Sequence, residues 1–112
     1  MIAAGDYELG VVRPKGEVAM GGPRVGLVCG HFDPARDGVA DYTRQLARHL
    51  RSVGLEPLIC TARSYARSYT GTAEDRVVGV TERWNVGGVV RAAHELARLR
   101  LDVVHVQFAP SA

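Results

Sequence analysis

The sequence contains few residues of several kinds, and each shortage excludes a class of protein. Its 112 residues include two cysteines, Cys29 and Cys60, which have neither CxxC spacing nor histidine pairs nearby. A zinc motif and a disulfide framework are therefore not supported, and reduced, buried thiols in a cytoplasmic protein are favoured. No apolar run reaches the roughly 20 residues that span a bilayer, and the N-terminus lacks the pattern of a signal peptide.

Lysine is nearly absent, since Lys15 is the only one and arginine supplies the other basic residues. The net charge of +2 arises from arginines interspersed with acidic residues, a balance that does not indicate nucleic acid binding. Arg44, Arg48 and Arg51 fall on one stripe of a predicted helix. A solvated face is the favoured interpretation of this stripe, and peripheral contact with anionic lipid headgroups is the alternative.

Residues 1–23 combine several glycines and prolines with short apolar pairs, without strand or helix periodicity. We predict a flexible leader over 1–23, and Met20 offers an alternative translation start. The folded domain is predicted to cover residues 24–112.

From Arg24 onward, apolar patterns alternate between strand and helix. Four strands are predicted at 24–29, 57–61, 76–81 and 102–108, with a polar loop over 62–75. Two helices follow the first and third strands, capped by Asp37 and Asn85, and the first is predicted to end at Gly54. Their predicted apolar faces contain Val39, Tyr42, Leu46, Leu50 and Val53, and Val86, Val89, Val90, Ala93, Leu96 and Ala97.

This alternation predicts an α/β fold, a Rossmann-like parallel sheet with flanking helices. Such a sheet normally continues beyond its fourth strand, so we expect residues 24–112 to be an incomplete domain, truncated after that strand.

The turn after the first strand reads GHFDPARDG, from Gly30 to Gly38. Ligands of open α/β sheets bind at the carboxyl ends of the strands, and the first such turn often meets a phosphate. Gly38 can let the backbone approach a diphosphate or can relieve a tight turn, and the full GxGxxG fingerprint is absent. His31 is a candidate hydrogen-bond donor to a phosphate, or a candidate base, although a solvated histidine is the commoner outcome. Arg36 is a candidate to bind a phosphate or carboxylate of the substrate.

Gln107 is predicted to stand at the carboxyl end of the fourth strand. Its amide can hydrogen-bond a substrate hydroxyl there, since ligands bind at that edge of the sheet.

The order RVGLVCGHFDPARDGVADYTRQLARHL, then a second strand, then DVVHVQFAP after a helix, resembles the N-terminal domain of retaining GT-B glycosyltransferases of family 4. The resemblance covers nearly all of residues 24–110. It implies that Gly38, preceded by Asp37 where relatives often have a second glycine, approaches the sugar-nucleotide diphosphate and the acceptor. Gln107 stands where many relatives have a histidine that contacts the transferred sugar.

The resemblance also implies a function. A complete enzyme of this family moves a sugar from a nucleotide-diphosphate sugar to a glycan, lipid or small-molecule acceptor, with no cofactor and generally no metal. The nucleotide-binding C-terminal domain has no counterpart in this chain, so we expect the chain alone to be inactive.

Two alternatives come from other classes. Gly30-His31-Phe32-Asp33-Pro34 resembles the start of the GxFDPxHxGH signature of nucleotidyltransferases, but Arg36 and Val39 replace its two histidines. A non-enzymatic module that binds a nucleotide or phosphate is the second alternative, because no complete catalytic constellation is present.

Overall fold

The structure of the chain, a computed structural model, describes the backbone of Glu8–Val11 and residues 22–107. Within these ranges lie five strands and three helices. The strands are β1 (Glu8–Val11), β2 (Arg24–Val28), β3 (Glu56–Ala62), β4 (Val77–Thr81) and β5 (Val103–Val106). The helices are α1 (Gly38–Ser52), α2 (Arg63–Ser68) and α3 (Val86–Arg98).

The strands form one sheet in the order β1-β5-β2-β3-β4. β2 pairs in parallel with both β3 and β5, and β4 pairs in parallel with β3, whereas β1 is antiparallel to β5. Leu27 lies beside Ile59 of β3 on one side and His105 of β5 on the other. The four parallel strands and their helices form a Rossmann-like α/β arrangement, which confirms the predicted fold class.

The central strands bury alternate side chains on opposite faces of the sheet. Val25, Leu27 and Ile59 pack with Ala40 and Ala47 of α1. On the other face, a second cluster joins β-strand side chains to α3 and the segment after it, and it consists of Val28, Leu58, Cys60, Val80, Ala92 and Leu101. This explains the continuous apolar runs of β2 and β3, because a strand covered on both faces needs apolar residues at successive positions.

Helix α1 has both predicted ends. The Asp37 side chain accepts a hydrogen bond from the Val39 amide at 2.9 Å, and Gly54 follows the helix with a left-handed backbone (φ 97°). The predicted apolar face is partly wrong, since Tyr42 and Val53 are 59% and 60% exposed. The fully buried residues are Ala40, Thr43 and Ala47, whose small side chains let the helix lie close to the sheet.

Helix α3 departs further from the predicted face. Asn85 caps it as predicted, by accepting from the Gly88 amide at 2.7 Å. Val86, Val89 and Val90 are nevertheless exposed, and the buried residues are Gly88 and Ala92. The physical reason is the close approach at Gly88, where the helix lies directly against the Arg83 carbonyl of the preceding loop and the Thr81 side chain at the end of β4, so that only small residues fit on this face.

Two further expectations were wrong in part. The stretch predicted as a polar loop, 62–75, contains helix α2. Glu8–Val11, which we expected within a flexible leader, form β1 at the edge of the sheet beside β5. Leader residues 1–7 and 12–21 lie outside the described residues, as do residues 108–112, which include Phe108 of the predicted fourth strand.

Adjacent glycines of α3 offer a matched test of this packing. Alanine at Gly87 would place its Cβ in ordinary contact, 3.8 Å from Asn85 Oδ1, and should stabilise the chain by up to about 1 kcal/mol, the usual gain over glycine within a helix. Alanine at Gly88 would place its Cβ against the Arg83 carbonyl oxygen and should destabilise the chain by about 1–3 kcal/mol. Urea unfolding of Gly87→Ala and Gly88→Ala measures both effects. Equal stabilisation by the two changes would contradict the close approach.

Candidate functional site

The candidate site lies where neighbouring strands send their connections to opposite faces. After β2 the chain enters α1 on one face, whereas the chain reaches β5 from α3 on the other. β2 and β5 are adjacent and parallel, and a crevice for a ligand is expected beyond their carboxyl ends, as in other open α/β sheets. The residues at this point are the loop from Gly30 to Gly38 and Gln107.

The start of the loop is held by contacts from β3 and from the segment before α3. The Gly30 carbonyl accepts from the Trp84 indole at 2.9 Å and from the Thr61 hydroxyl at 3.4 Å. Phe32 is buried and packs against the Tyr69 ring, with centroids 5.1 Å apart. These contacts fix an exposed loop on a rigid sheet, as a binding loop requires.

The middle of the loop is a turn. The Asp33 carbonyl accepts from the amides of Arg36 and Asp37, both at 2.9 Å. His31 is exposed and meets the Tyr65 ring edge-on, with centroids 5.3 Å apart. His31 therefore belongs to the side of the loop that faces α2.

Gly38 opens α1 and is exposed. A Cβ built on it would meet nothing within 4 Å, and its φ is not positive. The alternative explanation, that Gly38 relieves a tight turn, has no support in this geometry, because alanine would fit there without strain. The missing side chain leaves the helix N-terminus open to a ligand.

Asp37 changes what that N-terminus can bind. The first turn of a helix offers free amides and positive potential to an anion. Here the Asp37 carboxylate accepts a hydrogen bond from the Val39 amide and adds a negative charge at the helix N-terminus. The terminus is therefore a weaker anion site than a glycine-flanked one, and Asp37 is also an acceptor for ligand hydroxyls.

Gln107 lies at the end of β5, beside the start of the loop. Its backbone N–H donates to the Val28 carbonyl at 2.7 Å, and only 8% of the residue is exposed. Its side-chain Nε2 is buried and has no hydrogen-bond partner among the described residues. An unsatisfied buried donor costs about 1–3 kcal/mol, so a ligand oxygen that accepts from this amide would recover that free energy.

A groove of about 620 Å³ lies between the loop and the segment that follows β3. Its walls include Tyr65, Tyr69, Arg36 and Arg44. The tyrosines were not among the predicted site residues, because the stretch 62–75 was interpreted as a polar loop, and Arg44 was assigned to a solvated face of the first helix. The signal that could have indicated their role is the spacing of four residues between Tyr65 and Tyr69, with no glycine or proline between them.

Asp75 organises the wall of this groove. Its buried carboxylate accepts from Arg48 at 3.1 Å, Tyr69 at 2.8 Å and Thr72 at 3.1 Å, and Arg51 lies 3.4 Å away. Burial alone would raise the pKa of Asp75, but the hydrogen bonds from Arg48, Tyr69 and Thr72 outweigh it, so this pKa lies below its ordinary value. The arginine stripe of α1 is therefore largely engaged, since Arg44 also pairs with Asp41.

The two thiols lie on opposite faces of neighbouring strands. The Cys29 amide donates to the Cys60 carbonyl at 3.0 Å, while Cys29 packs on the α1 face and Cys60 on the α3 face. Both are free and buried, as predicted, and burial raises the pKa of each thiol to about 12. Neither supplies a thiolate nucleophile near neutral pH.

Asp75→Asn should destabilise the chain by about 1–3 kcal/mol, because the neutral amide cannot pair with two arginines. The pKa of Asp75 is lowered on folding, so its stabilisation is present above the ordinary value of 3.8 and is lost as pH falls. The difference from wild type should therefore be largest at neutral pH and shrink below about pH 4. Chemical unfolding at several pH values measures it, with exposed Glu74→Gln as control. A difference independent of pH would contradict the role of the charge.

Comparisons with known proteins do not identify a ligand or an activity for this site. The chain matches no protein-family model, no curated protein and no solved structure. In the part of the chain that the structure describes, no helix is long and apolar enough to cross a membrane. No group of three or more potential metal ligands occurs among the same residues. The function must therefore be inferred from the crevice and its residues.

Proposed function

We propose that this chain is the acceptor-side domain of a retaining GT-B glycosyltransferase, a hexosyltransferase that moves a sugar from a nucleotide-diphosphate sugar to an acceptor. The observation that carries the proposal is that residue 38, at the start of α1, is a glycine although a side chain would fit there. Gly38 stands at the helix N-terminus of the crevice, and neither backbone conformation nor packing explains the absence of a side chain there. Close approach of a ligand is a physical reason for glycine at such a position.

Gln107 supports the same proposal from the other side of the crevice. Its Nε2 is a buried donor at the end of β5, without a hydrogen-bond partner within residues 22–107. A sugar hydroxyl or phosphate oxygen would accept from it, and the donor would remain available at any pH because a carboxamide does not titrate. Its role is that of a substrate-binding residue.

The chemistry of such a transfer places charge on the departing diphosphate. Amides and dipoles that are already oriented stabilise this charge without reorganisation. The free amides at the start of α1 are of this kind, although Asp37 reduces their positive potential. The groups that bind the nucleotide would belong to a second domain. We propose that the protein acts in the cytoplasm, where its unpaired thiols stay reduced.

The gene provides a direct test. We expect the reading frame that encodes residues 1–112 to continue, in the intact genomic locus, into a second α/β domain that carries two glutamates in a Glu-x7-Glu pattern. Sequencing the locus and the natural transcript checks this. A stop codon directly after Ala112 in both would contradict the proposal.

Gly38→Val tests the crevice in the complete enzyme. The valine side chain would fill the space through which the ligand approaches, so we expect kcat/KM to fall about 100-fold, whereas the unfolding temperature should hardly change. Nucleoside diphosphate release from a panel of UDP-, GDP- and ADP-sugars measures the activity. Gly38→Ala should have a smaller effect.

Gly87→Val is the matched control for this experiment. It introduces the same side chain into the first turn of α3, where a Cβ would lie in ordinary contact, 3.8 Å from Asn85 Oδ1. Its activity should equal that of the wild type. Unchanged kinetics of Gly38→Val would reject the role of Gly38, and equal losses in both variants would attribute the effect to valine in a helix start.

A further inference from the structure

The groove between the loop and α2 has a lining that differs from the crevice beside Gln107. It combines cationic, aromatic and hydroxyl side chains on one concave surface. The cationic, aromatic and hydroxyl residues of the lining are Arg36, Arg44, Tyr65, Ser68, Tyr69 and Thr70, and the Asp33 carboxylate lines it beside Arg36. Sites for small molecules commonly show this combination of flat apolar walls and a few convergent polar groups.

The two arginines bring positive charge to the groove. The Arg36 side chain is 85% exposed, and its Nε lies 3.9 Å from Asp33, too far for a hydrogen bond. Arg44 is held by Asp41 and by the Tyr69 side chain, so it contributes mainly its charge. A guanidinium group binds a phosphate or carboxylate through two parallel hydrogen bonds, so these arginines favour a ligand with an oxyanion.

The tyrosines form walls that are in place before any ligand arrives. Tyr65 contacts the His31 ring edge-on, and Tyr69 packs against buried Phe32. The Tyr69 hydroxyl donates to Asp75, which is itself held by two arginines of α1. Walls fixed in this way lose little entropy on binding, and their flat faces fit the apolar face of a sugar-like ring.

We propose that this groove binds a small hydroxylated ring that carries a phosphate or carboxylate. Arg36 binds the oxyanion and the guanidinium of Arg44 adds positive charge, Tyr65 and Tyr69 contact the ring, and Ser68 and Thr70 form hydrogen bonds with its hydroxyls. The loop that lines the groove ends at Gly38, so the ligand lies next to the crevice. Its assignment as the acceptor of sugar transfer rests on the proposed function, whereas its binding does not.

The binding test uses the 112-residue chain and four probes: glucose 6-phosphate, glucuronate, glucose and inorganic phosphate. Isothermal titration calorimetry measures affinity, and saturation-transfer NMR shows which probe protons contact the protein. We expect glucose 6-phosphate and glucuronate to bind more tightly than glucose or phosphate alone, since only they offer both ring and oxyanion. Stronger binding of glucose 6-phosphate than of glucuronate would identify a phosphate as the preferred group, and the reverse would identify a carboxylate.

Arg36→Gln should weaken the binding of both anionic probes roughly tenfold or more, because it removes a charge-assisted hydrogen bond, without changing the unfolding temperature. Arg67→Gln is the matched control, an exposed arginine of α2 that does not line the groove. Tyr65→Leu should reduce the saturation transfer to the ring protons of the probes. The unfolding curve of this variant shows whether the fold is retained.

Three results would overturn the proposal: equal affinity for glucose and glucose 6-phosphate, equal losses in Arg36→Gln and Arg67→Gln, or no measurable binding of either anionic probe. The outcome is separable from that of the glycosyltransferase proposal. Absent probe binding together with a strong Gly38→Val effect in the complete enzyme would reject only the groove. Probe binding in a protein that transfers no sugar would retain the groove and reject only its assignment as an acceptor site.

Discussion

The central position of β2 is the constraint on which the rest of the structure depends. β2 is hydrogen-bonded on both sides, to β3 and β5, and covered on both faces, by α1 and the α3 layer. Its side chains therefore have no route to solvent except at the strand ends. The helices next to β2 lie on opposite faces of the sheet, and among residues 22–107 none crosses the carboxyl ends of β2 and β5. The exposed loop from Gly30 and the buried amide of Gln107 meet there for this topological reason.

The second organising element is electrostatic. Asp75 fixes the segment after α2 to α1, and so it positions Tyr69 in the groove wall. The ion pairs of Asp75 with Arg48 and Arg51 differ from exposed surface ion pairs, which contribute little to stability, because the Asp75 carboxylate is buried and accepts several hydrogen bonds. Arg48 and Arg51, two of the three arginines on one face of α1, thus serve mainly to compensate this charge. Stability and groove shape depend on the same residue, whereas the crevice at Gly38 depends on the sheet.

Prediction from the sequence succeeded where a local physical signal is strong. The β-branched runs, Asp37 and Asn85 as caps and Gly54 after α1 were correct, because strand burial and helix ends are determined by neighbouring residues. The buried faces of α1 and α3 were harder to predict, since alanine, threonine and glycine carry no strong apolar signal but allow close packing. The partners of Asp75 could not be predicted, because Arg48 and Tyr69 meet it only after the chain folds. β1 depends on pairing with β5, almost one hundred residues away, so its local sequence did not reveal it.

Charge separates the two parts of the site. Asp37 places a carboxylate at the start of α1, where it competes with any anion for the helix amides. Arg36 and Arg44 line the groove on the other side of the turn, and the guanidinium of Arg36 is exposed there and can bind an oxyanion. A ligand that spans both would therefore direct its anionic group into the groove and its hydroxyls toward Asp37. In a sugar transfer this orientation would leave an acceptor hydroxyl beside Gly38, the position from which it could meet the donor.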